Sequence, residues 1–284
     1  MDFWSQVLSL LNTKVQQPEP YGLFHLTCFA LSIAAGIFLA KKFKSPTQLQ
    51  VRKILLIISI ITIVLEVYKQ IVCCVTFSDG EFHFKYRWFI FPFQFCSTPM
   101  YIGLLGGIFK NKKFHRVCCA YLASYSMFAG LSVMIGPFQV LIDVAGLNIQ
   151  TMFCHGSMIT IGIFLMCTNY VKPEFKVIRD ALPMFAVTMA MAIIMNEIGY
   201  YAGLEGLNLF YISPHRTTVI PILNYVEAAC PPPVPQIAYF VSFTLISFLI
   251  VKAFAGINKL TAKKSKLTPD VPKETLEEPI KVKA

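Results

Sequence analysis

Long apolar runs decide what this chain can fold into. Seven of them, each about 20 residues long, lie at 22–40, 53–77, 88–109, 117–136, 151–171, 181–203 and 236–255. A hydrocarbon layer of ~30 Å demands that length in helical form, because every backbone N–H and C=O must find its partner within the segment. The expected fold is an all-α polytopic membrane bundle of seven transmembrane helices over residues 1–255. Composition agrees with this reading. Hydrophobic residues make up 56% and charged residues only 14%, against roughly 25% charged in soluble domains. That balance excludes a disordered chain, a coiled coil and almost any water-soluble enzyme.

The net charge of +10 alternates from loop to loop. Lys41, Lys42, Lys44, Arg52 and Lys53 fall on one side, with Lys110, Lys112, Lys113, Arg116, Lys172, Lys176 and Arg179. The other side has Lys14, Lys85, Arg87 and Arg216. The positive-inside rule then predicts an outside N-terminus and a cytoplasmic C-terminus, as an odd span count requires. The basic excess is thus a topology signal and implies no nucleic-acid partner; the expected partners are membrane lipids, in the cell membrane. Phe3, Trp4, Val7, Leu8 and Leu11 recur at helical spacing and predict a short interfacial helix. Nothing at the N-terminus reads as a signal peptide. Residues 256–284 mix Lys, Glu and Pro and read as a disordered basic cytoplasmic tail. The outer segment 204–235, with Pro231, Pro232, Pro233 and Pro235, has the length of a lid or binding loop.

Nine cysteines might suggest a disulfide or zinc framework, but most lie in apolar runs and no CxxC occurs. Buried free thiols are the expectation, with no metal and no cofactor. Gly103 and Gly107 form a GxxxG pair suited to helix packing.

Ionisable groups inside a span cost on the order of 2.5–3.5 kcal/mol each on insertion scales, so they should face protein or water. Ser59, Thr62, Glu66, Lys69, Gln70 and Cys73 recur on one stripe of the second span, and Glu66 and Lys69 are spaced to pair. His25, Glu66, Lys69, Gln94, Cys96, Gln150, His155, Asn196 and Glu197 all fall in the outer halves of their spans. One polar cavity open toward the outer leaflet accounts for that asymmetry. Counting from the span starts, Cys96 lies ~12 Å deep and His155 roughly 7 Å deep at 1.5 Å per residue. A thiol attacks only as thiolate, and imidazole is its usual base, so the two form the candidate catalytic pair. Packing roles for both remain open from the residues alone. So does a carrier or receptor built on Glu66, Lys69 and Glu197, or a bundle that its polar residues merely stabilise.

Pro92-Phe93-Gln94-Phe95-Cys96, followed by Pro99-Met100-Tyr101, resembles the third-span motif of the transmembrane protein 164 / YwaF-like family. Phe153-Cys154-His155-Gly156 is similar to its second motif, and Asn208-Leu209-Phe210-Tyr211 to its outer loop. Ser97 stands where family members commonly have an acidic residue. Animal members are described as lipid acyltransferases using a cysteine and a histidine. The resemblance therefore implies Cys96 as acyl-accepting nucleophile and His155 as its base, in a lipid acyltransferase or ester hydrolase. Gln94 and Asn196 are the oxyanion candidates, and Glu66 or Glu197 the candidates for orienting His155. Lys69, His25 and Gln150 complete the expected polar cavity.

Overall fold

A computed structural model describes residues 3–267. The chain is a helical bundle with one small hairpin: α1 (Phe3–Leu11), α2 (Leu23–Lys42), α3 (Gln48–Cys74), β1 (Val75–Ser78), β2 (Glu81–Phe84), α4 (Thr98–Ile108), α5 (Lys112–Tyr121), α6 (Met127–Ile135), α7 (Ala145–Cys167), α8 (Phe175–Tyr201), α9 (Leu223–Ala229) and α10 (Val234–Leu267). A π-helical turn, Leu122–Ser126, joins α5 to α6 without a break. Among the described residues, six helices are long and apolar enough to cross a membrane: α2, α3, the α5–α6 rod, α7, α8 and α10.

The expected third span departs from this pattern. Over 88–109 only α4 is α-helical, 11 residues long, or ~16 Å at 1.5 Å per residue. A 3₁₀ turn at Trp88–Ile90 and irregular chain precede it. The prolines explain the break. Pro92 has no N–H and forces Phe91 into an extended ψ of 130°, while Pro99 fits the first turn of α4, where its missing donor is unneeded. The broken stretch still runs alongside α3. Gln70, near the end of α3, donates to the Ile90 carbonyl at 3.0 Å. Arg52, near its start, donates to the Gly107 and Ile108 carbonyls at 2.9 and 2.8 Å. Non-helical backbone at such depth persists only where protein covers it or a cavity adjoins it. Cys96 therefore sits on irregular chain just ahead of α4, and its depth does not follow from a helical rise.

The polar ends sort into two groups. At one end Lys14 pairs with Asp143 at 2.9 Å, Tyr68 donates to the Leu11 carbonyl at 2.6 Å, and Trp4 packs on Phe82 of the hairpin. At the other, Arg116 pairs with Asp180 at 3.2 Å and Asn258 donates to the Met166 carbonyl at 3.0 Å. The hairpin turns on Asp79-Gly80, both at positive φ, the pairing a two-residue turn favours. α7 is the central rod, packed against α2, α3, α6 and α10. The GxxxG face of α4 lies on α3: a Cβ at Gly103 would strike Ser59, and one at Gly107 would strike Leu56.

α1 forms as expected. The helix ending the bundle runs past Gly256 to Leu267, so the start of the expected tail is helical. The remainder of that tail, 268–284, lies outside the described residues.

Candidate functional site

Three elements and two connecting segments, one of them at Gln139 and Val140, line a cavity of about 340 Å³. From α3 come Ser59, Thr62, Glu66 and Lys69; from the broken stretch, Gln94, Cys96 and Ser97; from α7, Gln150, Thr151, Cys154 and His155; from the outer loop, Tyr211. The α3 group is the predicted polar stripe. The α7 group lies on one face by the same helical arithmetic. Asn148 fixes how α7 starts, exchanging two hydrogen bonds with Ile142 (2.9 and 2.7 Å). Gly156 lets α2 close over the next turn, since a Cβ there would meet the Ser32 hydroxyl.

Glu66 is the electrostatic centre. One carboxylate oxygen accepts from Gln70 at 2.7 Å. The other meets Lys69 at 2.8 Å and Gln150 at 3.5 Å. Removing both charges from water is repaid only because the carboxylate is paired and hydrogen-bonded at the same time.

His155 is buried and its tautomer is readable. Nδ1 lies 2.8 Å from the Thr151 carbonyl, which can only accept, so Nδ1 carries the proton. Nε2 then holds a lone pair, and it is buried with no partner among the described residues. His25 has the opposite arrangement. Its Nδ1 accepts from the Tyr21 N–H at 3.3 Å, so an unpartnered Nε2–H remains. His25 does not line the cavity.

The remaining predicted residues take other work. Gln94 donates to the Asn208 carbonyl (3.0 Å) and accepts from the Phe210 N–H (2.8 Å). Asn196 donates to the Leu209 carbonyl (2.9 Å) and accepts from the Leu209 N–H (2.7 Å). Both amides clamp the loop after α8; Gln94, an expected oxyanion candidate, also lines the cavity, and Asn196, the other, does not. Glu197 pairs with His215 at 3.0 Å, and Glu66 pairs with Lys69, Gln70 and Gln150. The orienting group for His155 is thus the Thr151 backbone, not a carboxylate.

The clamped loop carries Phe210 and Tyr211, both at φ 56°. Aromatic residues in that region cost about 1–3 kcal/mol each. Phe210 offsets this by burying its ring against Phe93 and Phe95 (centroids 6.1 and 5.7 Å), and Tyr211 closes the cavity from above. Sequence reasoning placed this loop but missed Tyr211 as a wall.

A thiol–imidazole hydrogen bond lies elsewhere, where the sequence reading placed no site. At the opposite end, His115 Nδ1 donates to the Gly106 carbonyl at 2.7 Å, while its Nε2 meets Tyr170 Oη at 2.9 Å and Cys119 Sγ at 3.4 Å. The i, i+4 spacing of His115 and Cys119 was the available signal. Both are buried, and the cluster ties α4 and α5 to the chain after α7. Cys118 and Cys119 are packed inside, as greasy residues.

Residues 20–255 match the TMEM164 family across most of the chain. The chain belongs to the TMEM164 family. With six apolar helices of spanning length, this TMEM164 family member is an integral, multi-pass membrane protein. Its cavity lies wholly within the matched region. No curated protein and no solved structure shows a significant match.

Proposed function

We propose that this protein is a thiol-dependent lipid acyltransferase or ester hydrolase working at the outer leaflet, with Cys96 as nucleophile and His155 as base. One observation carries the reading: Cys96 and His155, from separate elements, line one cavity. The His155 nitrogen that holds a lone pair is taken by no other group, and it makes no hydrogen bond to Cys96 Sγ among the described residues, so the thiol proton must reach it by a side-chain rotation or through a bridging water. Nε2 takes the thiol proton as sulfur attacks an ester carbonyl. The sulfur–carbon bond forms, the ester carbon–oxygen bond breaks, and the proton goes to the departing alkoxide. His155 Nε2 then takes the proton of a lysolipid hydroxyl or water as its oxygen attacks the thioester carbonyl; the carbon–sulfur bond breaks, the acyl group leaves on that oxygen, and the proton returns to the Cys96 sulfur. The Lys69 ammonium faces the same space and suits the charge that develops on the carbonyl oxygen. The test is intact mass spectrometry after incubation with phospholipid. An acyl adduct on the wild type that disappears in Cys96→Ala supports the mechanism; unchanged turnover in Cys96→Ala removes it.

The Glu66–Lys69 pair on the cavity wall favours a second reading, a carrier for a lipid or small solute. Flux into proteoliposomes that survives Cys96→Ala and fails with Glu66→Gln would select it.

A further inference from the structure

A second hollow, about 480 Å³, lies between α3 and α4 and beneath the hairpin. Ile63, Val67 and Ile71 form one wall, a single helical stripe of α3; Tyr101 and Leu104 form the other; Phe84 of β2 overhangs one end. The lining is apolar almost throughout. Among its few polar groups, Tyr101 donates to the Pro92 carbonyl at 2.8 Å, and the Gln70 amide nitrogen serves Glu66 and Ile90. Val67 and Ile71 stand exposed on a spanning helix, so the groove opens to the acyl region of the bilayer. At its inner side it adjoins the polar cavity, because Glu66, Phe91 and Met100 line both.

We infer that this groove binds one acyl chain of a membrane phospholipid and leads its ester end into the polar cavity. An apolar channel that terminates in charge matches a linear amphipath and nothing else in its surroundings. Lipid chains are also what the open side meets. The reason follows from the break in 88–109: a full helix there would pack on α3 along its whole length, as Gly103 and Gly107 do lower down, and leave no gap. The inference names the substrate of the site proposed above and rests on that reading only for the chemistry that follows binding.

The test uses vesicles of phosphatidylcholine carrying a diazirine midway along one acyl chain, with the full-length protein and its Cys96→Ala variant. Adducts mapped by mass spectrometry should concentrate on Ile63, Val67 and Leu104, about tenfold above outward-facing controls Ile57 and Leu249, a preference of about 1.4 kcal/mol. Val67→Trp or Leu104→Trp, on surfaces where folding is undisturbed, should bring that enrichment down to the control level. Labelling of groove and controls alike, insensitive to both tryptophans, overturns the inference. Enriched labelling without any acyl adduct on Cys96 keeps the groove and removes the chemistry, so the two failures are distinguishable.

Discussion

The Thr151 carbonyl accepts the Nδ1 proton of His155 at 2.8 Å, and so leaves the other ring nitrogen as a buried lone pair on a residue that lines the cavity. In the proposed mechanism, a backbone oxygen one turn earlier takes the place that a carboxylate has in many hydrolytic sites. It holds the tautomer at no cost in buried charge, and it cannot be removed by substituting a side chain.

If Cys96 and His155 work as proposed, His155→Gln should lower acyl transfer by about 10²–10⁴-fold, the range for loss of a positioned base. Circular dichroism and melting temperature should stay close to wild type, because the helix supplies the Thr151 carbonyl either way. Lipid turnover in nanodiscs, followed by mass spectrometry, checks it.

Breaking the Glu66–Lys69 pair on one side should destabilise the protein. Lys69→Met leaves a buried carboxylate facing only amides and should cost about 3–5 kcal/mol. The double change Glu66→Gln with Lys69→Met should recover most of it. Thermal melts of the three variants in the same detergent decide; an additive double variant would mean that the two charges do not act as a pair.

Asn196→Ala removes both hydrogen bonds holding Leu209. With each buried partner worth about 1–3 kcal/mol when orphaned, and with two aromatic residues beside it at φ 56°, the loop should open. Limited proteolysis should then cut within 204–222 far sooner than in wild type, while α7 and α8 remain protected.

Gly107→Leu should separate α4 from α3, since the position abuts Leu56. Overpacking of this kind costs typically ~1–3 kcal/mol. The Arg52 bonds to the Gly107 and Ile108 carbonyls would be lost with it, and hydrogen exchange at the end of α4 should rise.

The Lys14–Asp143 bridge ties the N-terminal segment to the start of α7. The Lys14 ammonium donates to the Asp143 carboxylate and holds its pKa below the ordinary 3.8. A carboxyl lowered in the folded state contributes above its unfolded pKa and loses that contribution as pH falls through the folded value. Both groups are exposed, so the effect is local. Exchange protection near Lys14 and Val15 should fall under acid, and Asp143→Asn should show the low-pH behaviour at neutral pH.

What the amino-acid order decided alone was the class of fold and where polar groups had to avoid lipid. Hydropathy sums along the chain, and a spanning helix satisfies its own backbone, so α2, α3, α7, α8 and α10 were legible without any neighbour. The Glu66–Lys69 pair was legible for the same reason: i, i+3 spacing lies within one helix. Tertiary structure decided everything that needed a second element. Gln94 and Asn196 looked free to act on a substrate until the loop from Asn208 folded back and took both amides. The expected span 88–109 became half a helix because its prolines release backbone groups that only neighbouring protein can accommodate. Whether Cys96 and His155 share one space, and the groove beside Val67, depend on how rods pack side by side. Side-chain pairing between helices reaches across the bundle, and spacing along one helix carries no record of it.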